Sequence, residues 1–321
     1  MKLFVTGGAG FIGSNFVRWV LQNRSDAEVT NFDALTYAGN LANLRDIEDD
    51  KRYRFVKGDI CDGALLDDVL PGHEAIVNFA AESHVDRSID WAAEFVRTNV
   101  LGTNSMLEAT RRHHIPKYLQ VSTDETYGSI DVGSFSEGDR LDPSSPYSAS
   151  KAGGDLLVRA YHRTYGTPVL ITRGSNTFGP YQFPEKVIPL FVTNLLEDKP
   201  VPLYGDGMNV RDWIHVEDVC SGIFTVLDRG EFGQIYNIAA GNERTNVELT
   251  HALCDLLGKP RSLITPVADR PGHDRRYAVD TSRTRALGWE PRWTFEDALA
   301  ATVEWYRSNR SWWEPLRSRE A

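Results

Sequence analysis

Tyr147 and Lys151 lie four residues apart in the segment Tyr-Ser-Ala-Ser-Lys, so a helix would place both side chains on one face. An ammonium group beside a phenol favours the ionised phenol and lowers its pKa, which makes the phenolate a usable base near neutral pH. Such a base accepts the proton of a hydroxyl group while the carbon beneath it releases hydride. The pair therefore predicts hydride exchange with a nicotinamide.

A second chemical pair, Asp124 and Glu125, lies about twenty residues upstream, directly after an apolar strand that ends at Val121. Two neighbouring carboxyl groups repel each other unless one stays protonated, and that division supplies an acid and a base for removing water. Adjacent residues of a strand point to opposite faces, so the two can converge only if the chain has left strand geometry by Asp124. The alternative is a polar loop or a helix cap.

The first 33 residues contain a dinucleotide-binding pattern. Gly8-x-Gly10-x-x-Gly13 follows a short apolar strand at residues 2–6 and opens a helix, which suits close approach of a pyrophosphate to backbone N–H groups. A second strand ends at Asp33, about twenty residues past the last glycine. A carboxylate there accepts hydrogen bonds from both ribose hydroxyls and repels a 2′-phosphate. NAD is therefore the expected cofactor, and NADP is disfavoured.

Continuous apolar runs alternate with helical stretches along the first half of the chain. The runs at residues 75–81, 118–122 and 168–172 are typical of strands covered on both faces, with helices predicted over 91–113 and 148–165. This alternation predicts an α/β fold with a doubly wound parallel sheet of the Rossmann type. The residues expected at the ligand-binding edge of that sheet are Gly7, Asp33, Ala81 and Thr123.

The rhythm changes after Gly174, where prolines punctuate a mixed segment. We expect residues 1–175 to form the NAD-binding domain, which also receives about 212–240, with a helix over 216–229. Residues 176–321 are expected to form mainly a smaller mixed α/β substrate-binding domain that is interleaved with the first.

The composition restricts the partners of the protein. The 321 residues include 35 basic and 45 acidic side chains, a net charge of −10, which disfavours nucleic acid and anionic membranes. Three cysteines without metal-type spacing, together with the absence of a paired-histidine motif, predict reduced thiols and no metal. No apolar run is long enough to cross a bilayer, and the glycines interrupt any signal-like run, so a cytoplasmic location is expected.

Two separated arginines, Arg211 and Arg270, suggest a diphosphate clamp in this acidic protein, because guanidinium groups bind phosphate oxygens bidentately. Taken singly, each arginine is as well explained by a structural ion pair. His273 alone is more typical of a surface or capping histidine than of a ligand contact.

Together these motifs resemble the extended short-chain dehydrogenase/reductases and, within them, the dTDP-glucose 4,6-dehydratases. The segments that carry the resemblance are Gly7-x-x-Gly10-x-x-Gly13, Gly58-Asp59-Ile60, residues 78–86, Ser122-Thr123-Asp124-Glu125, Tyr147-x-x-x-Lys151 and residues 179–186. The acidic pair distinguishes these dehydratases from the related 4-epimerases, which lack both carboxylates. The resemblance implies that Thr123, Asp124, Glu125, Tyr147 and Lys151 are catalytic in oxidation at sugar carbon four, loss of water across carbons five and six, and reduction at carbon six.

The resemblance also implies the binding residues and a homodimer formed through the helices at 91–113 and 148–165. The cofactor contacts are expected at Gly7, Gly10, Phe11, Ile12, Gly13, Asp33, Asp59, Ile60, Ala81, Thr98, Tyr147 and Lys151. The contacts to the nucleotide sugar, dTDP-glucose, are expected at Ser83, Thr123, Asn176, Lys186, Arg211, Asn246, Arg270, His273 and Tyr277. The alternatives are a UDP-sugar 4-epimerase, another nucleotide-sugar dehydratase, and a non-catalytic NAD-sensing protein.

Overall fold

The computed structural model describes residues 1–317, which contain twelve strands and twelve α-helices. The strands are β1 Lys2–Thr6, β2 Glu28–Asp33, β3 Tyr53–Lys57, β4 Ala75–Asn78, β5 Tyr118–Thr123, β6 Val169–Gly174, β7 Asn176–Phe178, β8 Val201–Tyr204, β9 Val210–His215, β10 Ile235–Ile238, β11 Glu243–Thr245 and β12 Ile264–Val267. The helices are α1 Phe11–Asn23, α2 Gly63–Val69, α3 Val85–Asp90, α4 Ala92–Val96, α5 Thr103–Arg112, α6 Pro146–Tyr165, α7 Val187–Leu196, α8 Val216–Arg229, α9 Asn246–Leu257, α10 Ser282–Ala286, α11 Phe295–Ser308 and α12 Arg310–Arg317.

Seven of the strands form one entirely parallel sheet in the order β10-β6-β5-β4-β1-β2-β3. Alternate side chains of each strand are buried on opposite faces. Leu3 and Val5 pack in one hydrophobic cluster with α1 and α8, whereas Phe4 packs in the other with α5 and α6. The predicted doubly wound sheet is confirmed. Its strand order reverses between β1 and β4, where ligands bind in folds of this kind.

The predicted helix over 91–113 is interrupted: α4 and α5 are joined by a π-helical segment, Arg97–Gly102. The helix predicted over 148–165 begins two residues earlier, because Ser145 caps it and Pro146 occupies its first turn. Tyr147 therefore lies in the first turn of α6. None of the helices in residues 1–317 combines the length and apolar character of a bilayer-crossing segment.

The second half of the chain forms a smaller mixed unit and also returns to the large sheet. A three-stranded sheet, β11-β9-β7, and a two-stranded sheet, β12-β8, pack with α7, α9 and α11 around a third hydrophobic cluster. Helix α8 matches the predicted span of 216–229, and β10 pairs with β6 at the edge of the large sheet. Strand β9 belongs instead to the small sheet.

Candidate active site

The acidic pair lies in a tight turn at the carboxyl end of β5. The strand ends at Thr123, and Asp124–Tyr127 form a single 3₁₀ turn. The Thr123 hydroxyl accepts the Glu125 N–H at 3.3 Å, and Thr126 donates to the Thr123 carbonyl at 2.8 Å. Strand geometry has therefore ended by Asp124, which is the condition under which two adjacent carboxyl groups can serve one site.

The two carboxyl groups have different electrostatic surroundings. Asp124 is 3 % exposed, and its Oδ2 has no hydrogen-bond partner among residues 1–317. Burial, with Glu125 and Asp212 nearby, raises the pKa of Asp124 well above its usual range. Burial also raises the pKa of Glu125, but three cations oppose that rise. These cations are Arg270, Arg211 and Lys186. Asp124 is thus the better proton holder, and Glu125 is the better carboxylate base.

Tyr147 and Lys151 come from the first two turns of α6, beside the acidic turn. Lys151 Nζ donates to the Val121 carbonyl oxygen at 2.8 Å, and burial lowers its pKa to about 8. The pKa of Tyr147 is raised, not lowered, because the phenol is buried and faces the Glu125 and Asp124 carboxyl groups. The expectation of a lowered phenol pKa is therefore wrong for this structure. A hydrogen bond with the Thr123 side chain works in the opposite direction and favours the phenolate.

All twelve residues predicted to contact a cofactor line a single cavity of about 260 Å³ at the switch point of the sheet. Gly7 has a φ of 67°, and a Cβ there would lie 2.7 Å from Ala80 N, so only glycine is tolerated at this close approach. Helix α1 begins after Gly10 without a side-chain cap, which leaves its N–H groups free for an anion. The Asp33 carboxylate accepts the N–H groups of Ala9 at 2.8 Å and Leu35 at 2.7 Å. The glycine loop, the uncapped start of α1 and the Asp33 carboxylate together suit a dinucleotide.

A second cavity adjoins the first, and Ser83 and Lys186 line both. Seven of the nine residues predicted to contact a nucleotide sugar line it, together with Glu125. The seven are Ser83, Asn176, Lys186, Arg211, Asn246, Arg270 and His273. Thr123 is not part of the lining, but it hydrogen-bonds the acidic turn beside it.

Tyr277, the other exception, is buried and donates to Asp274 Oδ2 at 2.7 Å. The Arg211 guanidinium lies 4.2 Å from the centre of the Tyr277 ring. The Arg211 Nη2 atom also donates to the Asp274 carbonyl at 2.9 Å. Tyr277 is not among the residues that line the second cavity, so its contact with the ligand stays a prediction. The ring instead supports Arg211 from behind.

Lys186, Arg211 and Arg270 converge from three distant parts of the chain. Lys186 Nζ donates to the Ser83 carbonyl at 3.0 Å, and Arg270 pairs with Asp86 at 3.3 Å. Three cations around one cavity suit a diphosphate, whose oxygens accept charge-assisted hydrogen bonds.

Sequence reasoning missed several lining residues. Tyr37 donates to Glu185 Oε1 at 3.1 Å, and His84 Nε2 lies 3.7 Å from the other oxygen of Glu185. Burial, reinforced by Lys186, lowers the pKa of His84 to about 4. Glu185 precedes Lys186 in a segment already singled out, so a signal for it existed. Nothing in the sequence pointed to Tyr37, or to Trp312 and Leu316, which also line the cofactor cavity.

The chain is similar to known proteins over nearly its whole length. The family model described as GDP-mannose 4,6 dehydratase matches residues 4–302. The dTDP-glucose 4,6-dehydratase of Streptomyces niveus is 53 % identical over 99 % of this chain and 96 % of its own. The crystal structure of DesIV, a dTDP-glucose 4,6-dehydratase from Streptomyces venezuelae with NAD bound, covers 98 % of this chain and 100 % of its own, with a TM-score of 0.97 and 56 % identity.

The match extends through both the large sheet and the smaller unit, and the resemblance to the extended short-chain dehydrogenase/reductases is confirmed. The similar relatives of the chain include dTDP-glucose 4,6-dehydratases. The chain belongs to the family that the GDP-mannose 4,6 dehydratase model describes.

Proposed function

We propose that the protein is an NAD-dependent dTDP-glucose 4,6-dehydratase that converts dTDP-glucose to dTDP-4-keto-6-deoxyglucose. The observation that carries the proposal is the turn at Asp124 and Glu125, where Asp124 is buried and Glu125, which lines the second cavity, has three cations nearby. The dehydratase relatives, at 53 % identity over nearly the full chain, support it.

Oxidation is the first step that these residues serve. Tyr147 accepts the proton of the hydroxyl on sugar carbon four as a phenolate, a form that the Thr123 hydrogen bond favours and that burial beside Glu125 and Asp124 opposes. When bound in the cofactor cavity, NAD would supply the hydride acceptor for carbon four and the hydride donor for carbon six, so no cofactor would be consumed. Lys151, which lines the cofactor cavity and whose ammonium group donates to the Val121 carbonyl of β5, is assigned to holding the cofactor beside Tyr147.

Elimination of water is the second step. A ketone at carbon four acidifies the hydrogen on carbon five, and Glu125 removes that proton. The electron pair of the broken C–H bond forms the double bond to carbon six as its hydroxyl leaves. Asp124 donates the proton that converts the hydroxyl into water, which its raised pKa favours at neutral pH. Glu125 returns its proton to carbon five when carbon six is reduced.

Binding of the nucleotide diphosphate is assigned to Lys186, Arg211 and Arg270, with Ser83, Asn176, Asn246 and His273 completing the cavity. We assign residues 1–175, together with α8 and β10 from the segment of about 212–240, to cofactor binding and the remainder of 176–321 mainly to the sugar nucleotide. This division is supported by the return of α8 and β10 to the large sheet.

We also propose a homodimer formed through the face of α6 and the helical segments around residues 91–113. Five large apolar side chains on these helical segments are each more than half exposed. They are Trp91, Val96, Leu101, Leu156 and Tyr165. A second copy of the chain would cover them, and sedimentation velocity that shows only monomer would contradict the proposal.

Three free cysteines support a reducing, cytoplasmic compartment.

The decisive experiment supplies the purified protein with dTDP-glucose, UDP-glucose and GDP-mannose separately and looks for the alkali-developed absorbance of a 4-keto sugar. We expect product from dTDP-glucose. Epimerised UDP-glucose without a keto product would establish the 4-epimerase alternative instead. Retention of NAD without turnover of any of the three would favour a binding protein.

A further inference from the structure

Helix α12 contributes to the cofactor cavity from a part of the chain far from the other lining residues. Trp312 and Leu316 line that cavity, whereas every other lining residue lies between positions 7 and 186. Neither residue belongs to a nucleotide-binding motif. Their position calls for a physical explanation.

Helix α12 is anchored to the smaller unit. Trp313 is fully buried, and its indole N–H donates to the Tyr306 carbonyl on α11 at 2.8 Å. The Arg317 guanidinium donates to Glu197 Oε2 at 3.0 Å and to Asn194 Oδ1 at 2.8 Å, at the end of α7. These contacts hold one side of α12 against the smaller unit, while Trp312 contacts the unit that contains the large sheet.

Trp312 makes that connection through one buried amide. Its indole N–H donates to Asn43 Oδ1 at 2.9 Å, and Asn43 Nδ2 donates to the Ala9 carbonyl at 2.9 Å. Ala9 belongs to the glycine-rich loop, and Asn43 is 2 % exposed. A continuous hydrogen-bonded path therefore runs from α12 to the loop that cradles a pyrophosphate.

We propose that Trp312 is a positioning residue that retains the nicotinamide dinucleotide by closing the cavity and by holding the glycine-rich loop through Asn43. The inference depends on the proposed NAD-dependent function. Retention of the cofactor has a chemical purpose in that reaction. If the reduced cofactor left after the oxidation step, the keto intermediate could not be reduced at carbon six.

The aromatic surroundings of Trp312 allow a conservative test. The Trp312 ring lies 5.0 Å from that of Trp305 and 5.7 Å from that of Tyr181. Trp312→Phe keeps a ring at this position but removes the N–H donor to Asn43. Trp293→Phe is the matched control, since Trp293 also donates one indole hydrogen bond, to Glu217 at 3.0 Å, without lining either cavity.

In the experiment, each protein is loaded with NAD⁺ and freed of excess by gel filtration, and the dinucleotide remaining on the protein is followed over time. Loss of one hydrogen bond predicts release about five- to tenfold faster for Trp312→Phe. Loss of the whole side chain predicts release on the order of a hundredfold faster for Trp312→Ala. Trp293→Phe should release NAD⁺ at the wild-type rate.

Thermal unfolding without dinucleotide separates an effect on NAD⁺ retention from an effect on general stability. Trp312→Phe should have the same melting temperature as Trp293→Phe and still release NAD⁺ faster. Release at the wild-type rate from folded Trp312→Phe would overturn the proposal. Hydrogen exchange on the wild-type protein gives a second measurement, in which NAD⁺ should slow the amides of residues 310–317, and no slowing would also overturn it. A wild-type protein that keeps no NAD⁺ would instead refute the proposed function and remove the basis of the inference.

Discussion

The Lys151 ammonium donates a hydrogen bond to the Val121 carbonyl oxygen at 2.8 Å, which joins helix α6 to strand β5 three residues before the acidic turn begins. This contact holds the proposed hydride-transfer pair and the proposed dehydration pair on one rigid part of the sheet. Sites built on strand and helix ends are held more precisely than sites on loops. The relative position of the two pairs is therefore set by the main sheet.

The double variant Asp124→Asn with Glu125→Gln should lose water elimination by at least about a hundredfold, because both proton-transfer groups are neutralised. The oxidation by Tyr147 is expected to survive, so reduced cofactor should accumulate when dTDP-glucose is added. Nicotinamide absorbance measures the accumulation, and product formation measures the loss. Dehydration at the wild-type rate would refute the assignment of this pair.

Tyr147→Phe should slow the first hydride transfer by about a hundred- to ten-thousandfold, since the ring remains but the proton acceptor is gone. Reduction of bound NAD in a single turnover measures that step. Tyr161→Phe is the control on the same helix, because the Tyr161 hydroxyl is bonded to Asn104 at 3.0 Å and to Glu108, away from both cavities. Equal rates in the two variants would rule out Tyr147 as the base.

Arg211→Lys should raise KM for dTDP-glucose about tenfold or more with little change in kcat, because a lysine cannot reproduce bidentate contact with phosphate. The Arg275→Lys control removes a guanidinium that pairs with Asp206 at 2.9 Å and does not line the cavity. A KM equal to that of the control would show that Arg211 does not bind the diphosphate.

Gly7→Ala should abolish NAD⁺ binding, because the new Cβ would press on the backbone at Ala80 as well as force a residue other than glycine to a φ of 67°. Gly72→Ala is a matched control, since Gly72 has a φ of 87° but no atom within 4 Å of an added Cβ. Both variants carry backbone strain, and Gly7→Ala should lose about 1–3 kcal/mol more of unfolding free energy through overpacking. Calorimetric titration with NAD⁺ measures the binding.

The burial of Lys151 predicts a pH dependence of stability. Its pKa falls from the ordinary 10.5 to about 8 in the folded protein, so the unfolded chain binds more protons between these values and stability must rise with pH there. The cost of burying the charge, about 3 kcal/mol, is fully present below pH 8 and is lost by about pH 10.5. Denaturant unfolding of wild type and Lys151→Met across this range measures the difference, and a pH-independent difference would contradict the prediction.

Local sequence patterns determined the fold and the types of chemical group. Apolar runs, glycines and an acid about twenty residues downstream are encoded in backbone preference and side-chain periodicity, so the parallel sheet and its binding edge were predictable. Gly7, Asp33 and Ala81 were predictable as cavity residues for the same reason, because they follow directly from strand ends of the sheet, whereas Trp312 and Leu316 were not.

Only the tertiary structure decided the charge state of the site and its long-range contacts. The phenol pKa of Tyr147 depends on burial against Glu125 and Asp124, which a helical spacing to Lys151 does not reveal. The stacking of Tyr277 beneath Arg211 and the reach of Trp312 to Asn43 join residues 66 and 269 positions apart. Such contacts arise from how whole elements pack, and solvation and Coulomb energies depend on that packing and not on position along the chain.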